Sequence, residues 1–125
     1  MKKLRTLYLG SNNFQGSLPS EIGDLTMLED MQLNSNEISG RIPTEIAHLS
    51  RLTNLQLNVN KLTGSIPTQL FQCTKLSNLN LENNQLTGSI PTAIRNLDDL
   101  NTRKCRNKTL TEMKDLQMYR CDVML

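Results

Sequence analysis

Aromatic residues are scarce in this chain of 125 residues, which has no tryptophan, two tyrosines and two phenylalanines. Any hydrophobic core must therefore be built from aliphatic side chains. The chain has no run of 18 apolar residues that could cross a bilayer, and Met-Lys-Lys at its start is not followed by the apolar segment of a secretory signal. We therefore expect no direct membrane insertion of this chain.

Side chains suited to catalysis or metal binding are also few. His48 is the single histidine, and no serine or cysteine nucleophile is paired with it in a recognisable motif. The three cysteines and His48 show no CxxC or HxxxH spacing, which argues against a metal site. We expect no catalytic residue, no metal and no cofactor, and hence no enzyme.

Charge gives little indication of a partner. The formal net charge is only +2, and the one basic cluster, residues 103–108, has no interleaved aromatic residues for stacking on bases. The sequence therefore predicts no nucleic-acid partner.

The dominant feature of the chain is a repeat of 24 residues, marked by leucine at positions 4, 28, 52, 76 and 100. Four units follow one another without insertion, at 4–27, 28–51, 52–75 and 76–99. One asparagine, one glycine, one proline and nearly all other apolar positions recur with the leucines. Repeats of this length form solenoids, because each unit buries its apolar side chains only against its neighbours.

The residues within each unit predict its local structure. Leucines two residues apart, such as Leu55 and Leu57, share one side of a short strand. The repeated glycine suits a turn with positive φ, and the proline after it fixes φ where the next segment begins. The repeated asparagine can satisfy backbone groups where the chain leaves the strand, so we expect a ladder through the interior. Its members are Asn12, Asn36, Asn60 and Asn84.

The pattern L-x-x-L-x-L-x-x-N-x-L-x-G-x-I-P-x-x-I-x-x-L, clearest from Leu52 to Cys73 and from Leu76 to Leu97, resembles the plant-type leucine-rich repeat. The resemblance covers about residues 4–100. It implies an α/β repeat solenoid, a right-handed superhelix with a parallel concave β-sheet and a loop or 3-10 convex side. Such repeats occur in receptor-like kinases, receptor-like proteins and secreted inhibitors; kinase activity itself cannot be carried over to these repeats.

The resemblance also implies a concave recognition face for a protein, peptide or glycan ligand. On each strand the residues flanking the leucines point away from the core, and these columns differ between repeats while the leucines do not. We expect ligand contacts from Tyr8, Asp30, Gln32, Asn34, Asn54, Gln56, Asn58, Asn78, Asn80 and Glu82.

The two ends depart from the family pattern. Residues 1–3 run directly into a repeat without an N-terminal cap, so we expect a fragment of a longer array, or else a partner or self-association that covers the end. Residues 101–125 are either a degenerate fifth repeat or a helical C-terminal cap. A capping box from Thr109 to Glu112 and the lack of glycine and proline favour the cap.

The compartment depends on the C-terminal segment. Cys105 and Cys121 bracket the expected cap, as the disulfides of extracellular family members do, and Asn107 begins an N-glycosylation sequon. By resemblance we expect a receptor-like, signal-transducing or secreted protein, extracellular or membrane-anchored through a longer parent. The alternatives are an intracellular, cytoplasmic scaffold and a non-binding spacer within a longer array.

Overall fold

The computed structural model describes residues 3–97 and the backbone of residues 123 and 124. In these residues each repeat contributes one strand to each of two parallel sheets and one 3-10 helix. The strands in chain order are β1 Thr6–Tyr8, β2 Gln15–Ser17, β3 Asp30–Gln32, β4 Glu37–Gly40, β5 Asn54–Gln56, β6 Lys61–Gly64, β7 Asn78–Asn80, β8 Gln85–Leu86 and β9 Val123–Met124.

The first sheet has the order β1-β3-β5-β7-β9, and each repeat strand pairs with its equivalent in the next repeat. Leu7 lies opposite Met31, Met31 opposite Leu55, and Leu55 opposite Leu79. Because the register does not shift, the Leu-x-Leu columns stack and the polar columns between them stack as well. This is the parallel sheet that the repeat pattern predicts.

A second parallel sheet, in the order β2-β4-β6-β8, was not expected from the sequence. Its strands pair with a different offset, so Gly16 lies opposite Ile38. At the ends of β4 and β6 the glycines Gly40 and Gly64 have φ of 74° and 76°, where an L side chain is strained. A Cβ on Gly64 would also lie 3.0 Å from the Arg41 side chain. These glycines therefore let the chain turn away from the second sheet.

The remaining segment of each repeat is a 3-10 helix of five residues, and the described residues contain no α-helix. A proline in extended conformation precedes each helix, so the helix begins where the proline has already fixed φ. The backbone N–H after each helix donates to a carbonyl three residues earlier, as Leu49 does to Ile46 at 3.1 Å. The helices are Ser20–Asp24, Thr44–His48, Thr68–Gln72 and Thr92–Asn96.

The core consists almost entirely of stacked aliphatic side chains between the first sheet and the 3-10 helices. Met31, Leu55 and Leu79 are each 0% exposed. Cys73 takes a leucine position and is fully buried, and Phe71, two residues earlier, is also buried. Leu4, Leu7 and Leu9, at the first repeat, are only partly buried, because the described residues place no repeat before them.

Residues 98–122 lie outside the described residues, so the choice between a degenerate repeat and a helical cap stays open. The backbone of β9 pairs in parallel with β7, with Leu79 opposite Val123. The chain therefore returns to the first sheet at residues 123 and 124.

Candidate ligand-binding face

The outer side of the first sheet is the candidate ligand-binding surface, called here the polar face. It comprises the ten residues expected from the sequence to contact a ligand: Tyr8, Asp30, Gln32, Asn34, Asn54, Gln56, Asn58, Asn78, Asn80 and Glu82. Nine of them are partly or fully exposed, because strand geometry turns them away from the leucines. The tenth, Asn80, is only 8% exposed.

Hydrogen bonds join the side chains of three neighbouring strands into one network centred on Asp30. The Tyr8 hydroxyl donates to Asp30 Oδ2 at 2.7 Å, and Asn54 Nδ2 donates to Asp30 Oδ1 at 2.8 Å. Gln32 Nε2 lies 3.2 Å from Oδ1 and 3.3 Å from Oδ2 of the same carboxylate. Gln56 Nε2 continues the chain by donating to Asn54 Oδ1 at 2.8 Å. The network fixes these side chains in place before any ligand arrives.

Tyr8 is the one aromatic side chain on the polar face, and 61% of it is exposed. The hydrogen bond to Asp30, together with partial desolvation and the nearby negative charge, raises the pKa of the Tyr8 phenol above its usual range. The phenol therefore stays protonated near neutral pH and keeps donating to Asp30. Tyr8 presents an aromatic ring held at its hydroxyl end.

Four amides of the polar face lie outside this network; Asn78 is exposed, and the side chains of the other three are constrained by their surroundings. The carboxamide oxygen of Asn80 accepts from the backbone N–H of Glu82 at 3.1 Å, so Asn80 serves the strand end rather than an exposed surface. Asn34 lies over Gly10, where a Cβ would come within 2.7 Å of Asn34 Oδ1. The Oδ1 of Asn58 is buried and has no hydrogen-bond partner among the described residues. These three are poorer candidates for ligand contact than the Asp30 network.

The polar face is acidic, since Asp30 and Glu82 are its charged residues and neither is in an ion pair within residues 3–97. The two ion pairs in that range lie beside the face and on the second sheet. Arg5 pairs with Glu29 at 2.6 Å, and Lys61 pairs with Glu37 at 2.9 Å.

The repeated asparagines bond to backbone groups at the ends of the strands that carry the polar face. Asn60 Nδ2 donates to the carbonyls of Leu33 and Leu57, and its Oδ1 accepts from the backbone N–H of Ile38. Asn36 and Asn84 make the equivalent bonds, each to one carbonyl of its own repeat and to one carbonyl and one N–H of the preceding repeat. Asn12 is exposed and bonds only to carbonyls of its own repeat. Asn36, Asn60 and Asn84 thus each join the end of a first-sheet strand to the start of a second-sheet strand, whereas Asn12 does not.

A residue in the left-handed conformation lies three positions after the end of each strand of the polar face, and the sequence did not predict it. Ser11, Ser35, Val59 and Asn83 have φ between 54° and 57°. Asn83 was the one signal in the sequence, because asparagine is enriched in this conformation. Val59 gives the opposite signal, since a β-branched side chain is strained there, and it is 44% exposed.

Other reactive groups lie away from the polar face. His48 is exposed at the end of the second 3-10 helix. Burial raises the pKa of the Cys73 thiol to about 11, and its Sγ donates to the carbonyl of Ile46 at 3.2 Å. The described residues hold no group of three or more His, Cys, Asp or Glu that could bind a metal ion. Cys105, Cys121 and Asn107 lie outside the described residues.

Residues 2–62 match the family model described as leucine rich repeat, and residues 75–97 match a second leucine rich repeat model. The chain belongs to the leucine-rich repeat family. No curated protein matches it. Among the helices described, none has the length and apolar character needed to span a membrane.

Solved leucine-rich repeat structures resemble the chain over most of its length. The ectodomain of the receptor kinase GASSHO1/SCHENGEN3 from Arabidopsis thaliana, in complex with CASPARIAN STRIP INTEGRITY FACTOR 2, is 40% identical with a TM-score of 0.77, over 78% of this chain and 12% of that chain. The plant peptide hormone receptor RGFR1 in complex with RGF2 is 41% identical with a TM-score of 0.77, over 78% of this chain and 16% of that chain. The PEPR1–AtPEP1 complex is 41% identical with a TM-score of 0.72, over 73% of this chain and 13% of that chain. This chain therefore spans less than a fifth of the length of these relatives.

Proposed function

We propose that this chain is a recognition segment of a receptor-like or secreted leucine-rich repeat protein, and that it binds a peptide or protein through the polar face. The observation that carries the proposal is the Asp30 network, in which partly exposed amide and carboxylate groups on β3 and β5 and the exposed Tyr8 hydroxyl on β1 are held in place by one another. Such groups are ready to exchange hydrogen bonds with a ligand at little further entropic cost.

The chemistry of the polar face favours an extended peptide segment. Gln32, Asn54 and Gln56 carry both donors and acceptors, which match the N–H and C=O groups of a peptide backbone. Three of the similar structures are complexes, and the receptor in one of them is named a plant peptide hormone receptor, which supports a peptide partner here. A glycan offers comparable hydrogen-bonding groups and is the alternative partner.

The expected affinity of this segment alone is modest. Strands lie about 4.8 Å apart, so a five-stranded sheet is only about 20 Å wide, which is small for a stable protein interface. Tyr8 is the single aromatic anchor on the polar face. We therefore propose that further repeats of a longer parent extend the same surface.

We also propose an extracellular setting and a binding rather than an enzymatic role. The similar structures include the ectodomain of a plant membrane receptor kinase, which supports a cell-surface or secreted parent. The position of His48 on a 3-10 helix, on a different element from every residue of the polar face, supports binding without catalysis.

The proposal is tested by selecting binders from a random peptide library on the immobilised 125-residue chain and measuring the dissociation constants of the selected peptides. In the double variant Gln32→Ala with Gln56→Ala, two hydrogen-bonding amides of the polar face are lost. We expect affinity to fall about five- to 150-fold, since each of the two lost hydrogen bonds contributes about 0.5–1.5 kcal/mol.

The matched control is Gln69→Ala with Gln72→Ala, which removes two amides from the third 3-10 helix. This control should bind the selected peptides like the unchanged chain. Equal weakening by both double variants, or no enrichment of peptides at all, would contradict the proposed site. Enrichment on a glycan array in place of the peptide library would assign the polar face to the alternative partner class.

A further inference from the structure

Tyr8 and Asp30 form an exposed pair of an aromatic ring and a carboxylate on adjacent strands, joined by a hydrogen bond of 2.7 Å. We infer that this pair is a subsite for a cationic side chain, and that the peptide recognised by the polar face carries an arginine at this point. The inference rests on the proposed function and adds to it the charge and identity of the residue that the partner presents.

The charge of Asp30 is not neutralised within residues 3–97. Asp30 accepts hydrogen bonds from Tyr8, Gln32 and Asn54, but all three donors are neutral, so they orient the carboxylate without neutralising it. Arg5, which directly precedes β1, is bound to Glu29. Among residues 3–97 no cation lies within ion-pair distance of Asp30. A cation brought by a partner would supply the missing charge.

The exposed ring of Tyr8 also favours a cation. A cation placed over the face of a tyrosine ring is attracted by the π electrons, and arginine does this more often than lysine. Tyr8 is exposed over most of its surface, and its hydroxyl is held by the same carboxylate that would receive the cation. A guanidinium can stack on the ring and donate to a carboxylate in its plane, whereas an ammonium is a compact point charge. The pair therefore suits arginine better than lysine.

The Tyr8 and Asp30 pair is continuous with further amides of the polar face. Asp30 on β3 is bonded to Asn54 on the neighbouring strand β5, and Asn54 is bonded to Gln56 on the same strand. An extended peptide anchored by its arginine at Tyr8 and Asp30 would pass over these amides, which could bond to its backbone. The face as a whole favours this partner by charge, since its two charged residues, Asp30 and Glu82, are both acidic.

The test uses the 125-residue chain labelled for NMR and a peptide of about nine residues that alternates serine with arginine. Versions with lysine, glutamine or glutamate in place of arginine serve as probes of charge and shape. Chemical-shift changes of the side-chain amides of Asn54 and Gln56 report binding at the polar face. We expect the arginine peptide to bind most tightly, the lysine peptide next and the glutamate peptide least, with affinity that falls as salt is raised.

Two variants separate charge from the ring. Asp30→Asn keeps the shape and the acceptor oxygen but removes the charge, and should weaken the arginine peptide at least about tenfold. Tyr8→Leu removes the ring and should weaken it about two- to fivefold. The charge-matched control is Glu21→Gln on the first 3-10 helix, which should leave the dissociation constant unchanged.

The outcomes distinguish this inference from the function on which it rests. If Asp30→Asn binds the arginine peptide unchanged, or if glutamine and glutamate peptides bind as tightly as arginine while the Gln32 and Gln56 variant loses binding, the cation subsite is wrong and the peptide face stands. If none of the four peptides shifts the Asn54 and Gln56 signals, both the subsite and the proposed face are wrong.

Discussion

Asn60 Nδ2 lies 2.9 Å from the carbonyl oxygen of Leu33, so an asparagine of one repeat bonds to the strand end of the repeat before it. Asn60 is 8% exposed, and its Oδ1 also accepts from the backbone N–H of Ile38 in the preceding repeat. One side chain thus bonds to backbone groups of two repeats where the chain turns, and it is the hydrogen-bond partner of the Ile38 N–H. Repeat stacking here depends on polar contacts as well as on leucine.

Replacing Asn60 with leucine should lower the free energy of unfolding by about 2–4 kcal/mol, because each buried backbone group left without a partner costs about 1–3 kcal/mol. The N–H of Ile38 loses its partner in this variant, and the carbonyls of Leu33 and Leu57 each lose one of two side-chain donors, keeping those of Asn36 and Asn84. Urea unfolding followed by circular dichroism gives the change.

Asn12→Leu is the matched control for this prediction, because Asn12 occupies the same column but is exposed and bonds only within its own repeat. We expect it to cost less than about 1 kcal/mol, as is usual at surface positions. Equal losses in the two variants would mean that the bonds between repeats do not matter to stability.

The repeat period was enough to predict the first sheet, its register and the buried columns, because a fixed spacing of 24 residues places equivalent side chains one above another. The second sheet was not predictable in this way. Its pairing is offset, with Gly16 opposite Ile38, and it depends on a turn set by the asparagine and on positive φ at residues such as Gly40. Backbone geometry of that kind leaves no apolar periodicity to read.

The polar face was predictable as a surface but not as a network. Alternation along the strand places Tyr8 and Asp30 outside the core, yet their side-chain contact is seen only in the folded structure. The burial of Asn80 was missed for the same reason, since strand alternation does not tell whether an outward amide turns back to the backbone. Rotamers and cross-strand contacts depend on neighbours that are distant in sequence.

Leu57→Ala should destabilise the chain by about 2–5 kcal/mol, since it leaves a cavity at a core position. Leu57 is 0% exposed, whereas Leu9 in the same column is only partly buried. Leu9→Ala should therefore have a distinctly smaller effect in the same urea experiment. A larger loss at Leu9 than at Leu57 would show that the first repeat, rather than the middle of the stack, limits stability.

Val59→Asn should stabilise the chain by about 1 kcal/mol, because strained left-handed residues cost of order 1–3 kcal/mol and asparagine tolerates this conformation. Val59 has φ of 57°, and the equivalent Asn83 has φ of 54°. The reverse change, Asn83→Val, should lower the melting temperature where Val59→Asn raises it. Shifts of the same sign in both variants would rule out backbone strain as the cause.

The stability of the folded chain should fall as pH rises from 9 towards 11 through the titration of Cys73. The pKa of the buried thiol is raised from 9.0 to about 11, so in this interval the folded state keeps a proton that the unfolded state has lost. The stability that the protonated thiol contributes is fully present below pH 9 and is lost above about pH 11. Cys73→Val should remove this component of the pH dependence of urea midpoints. An unchanged profile would mean that other groups account for all of it.

Thiol trapping followed by mass spectrometry on the protein from its natural source checks the proposed setting. In a secreted or cell-surface parent we expect Cys105 and Cys121 to be joined by a disulfide and Asn107 to carry a glycan. Cys73 is the internal control, because a buried thiol with a raised pKa should react with iodoacetamide only after denaturation. Two free thiols at 105 and 121 together with an unmodified Asn107 would favour the intracellular scaffold. Because the polar face involves none of these groups, that result would change the compartment and leave the peptide-binding proposal to its own test.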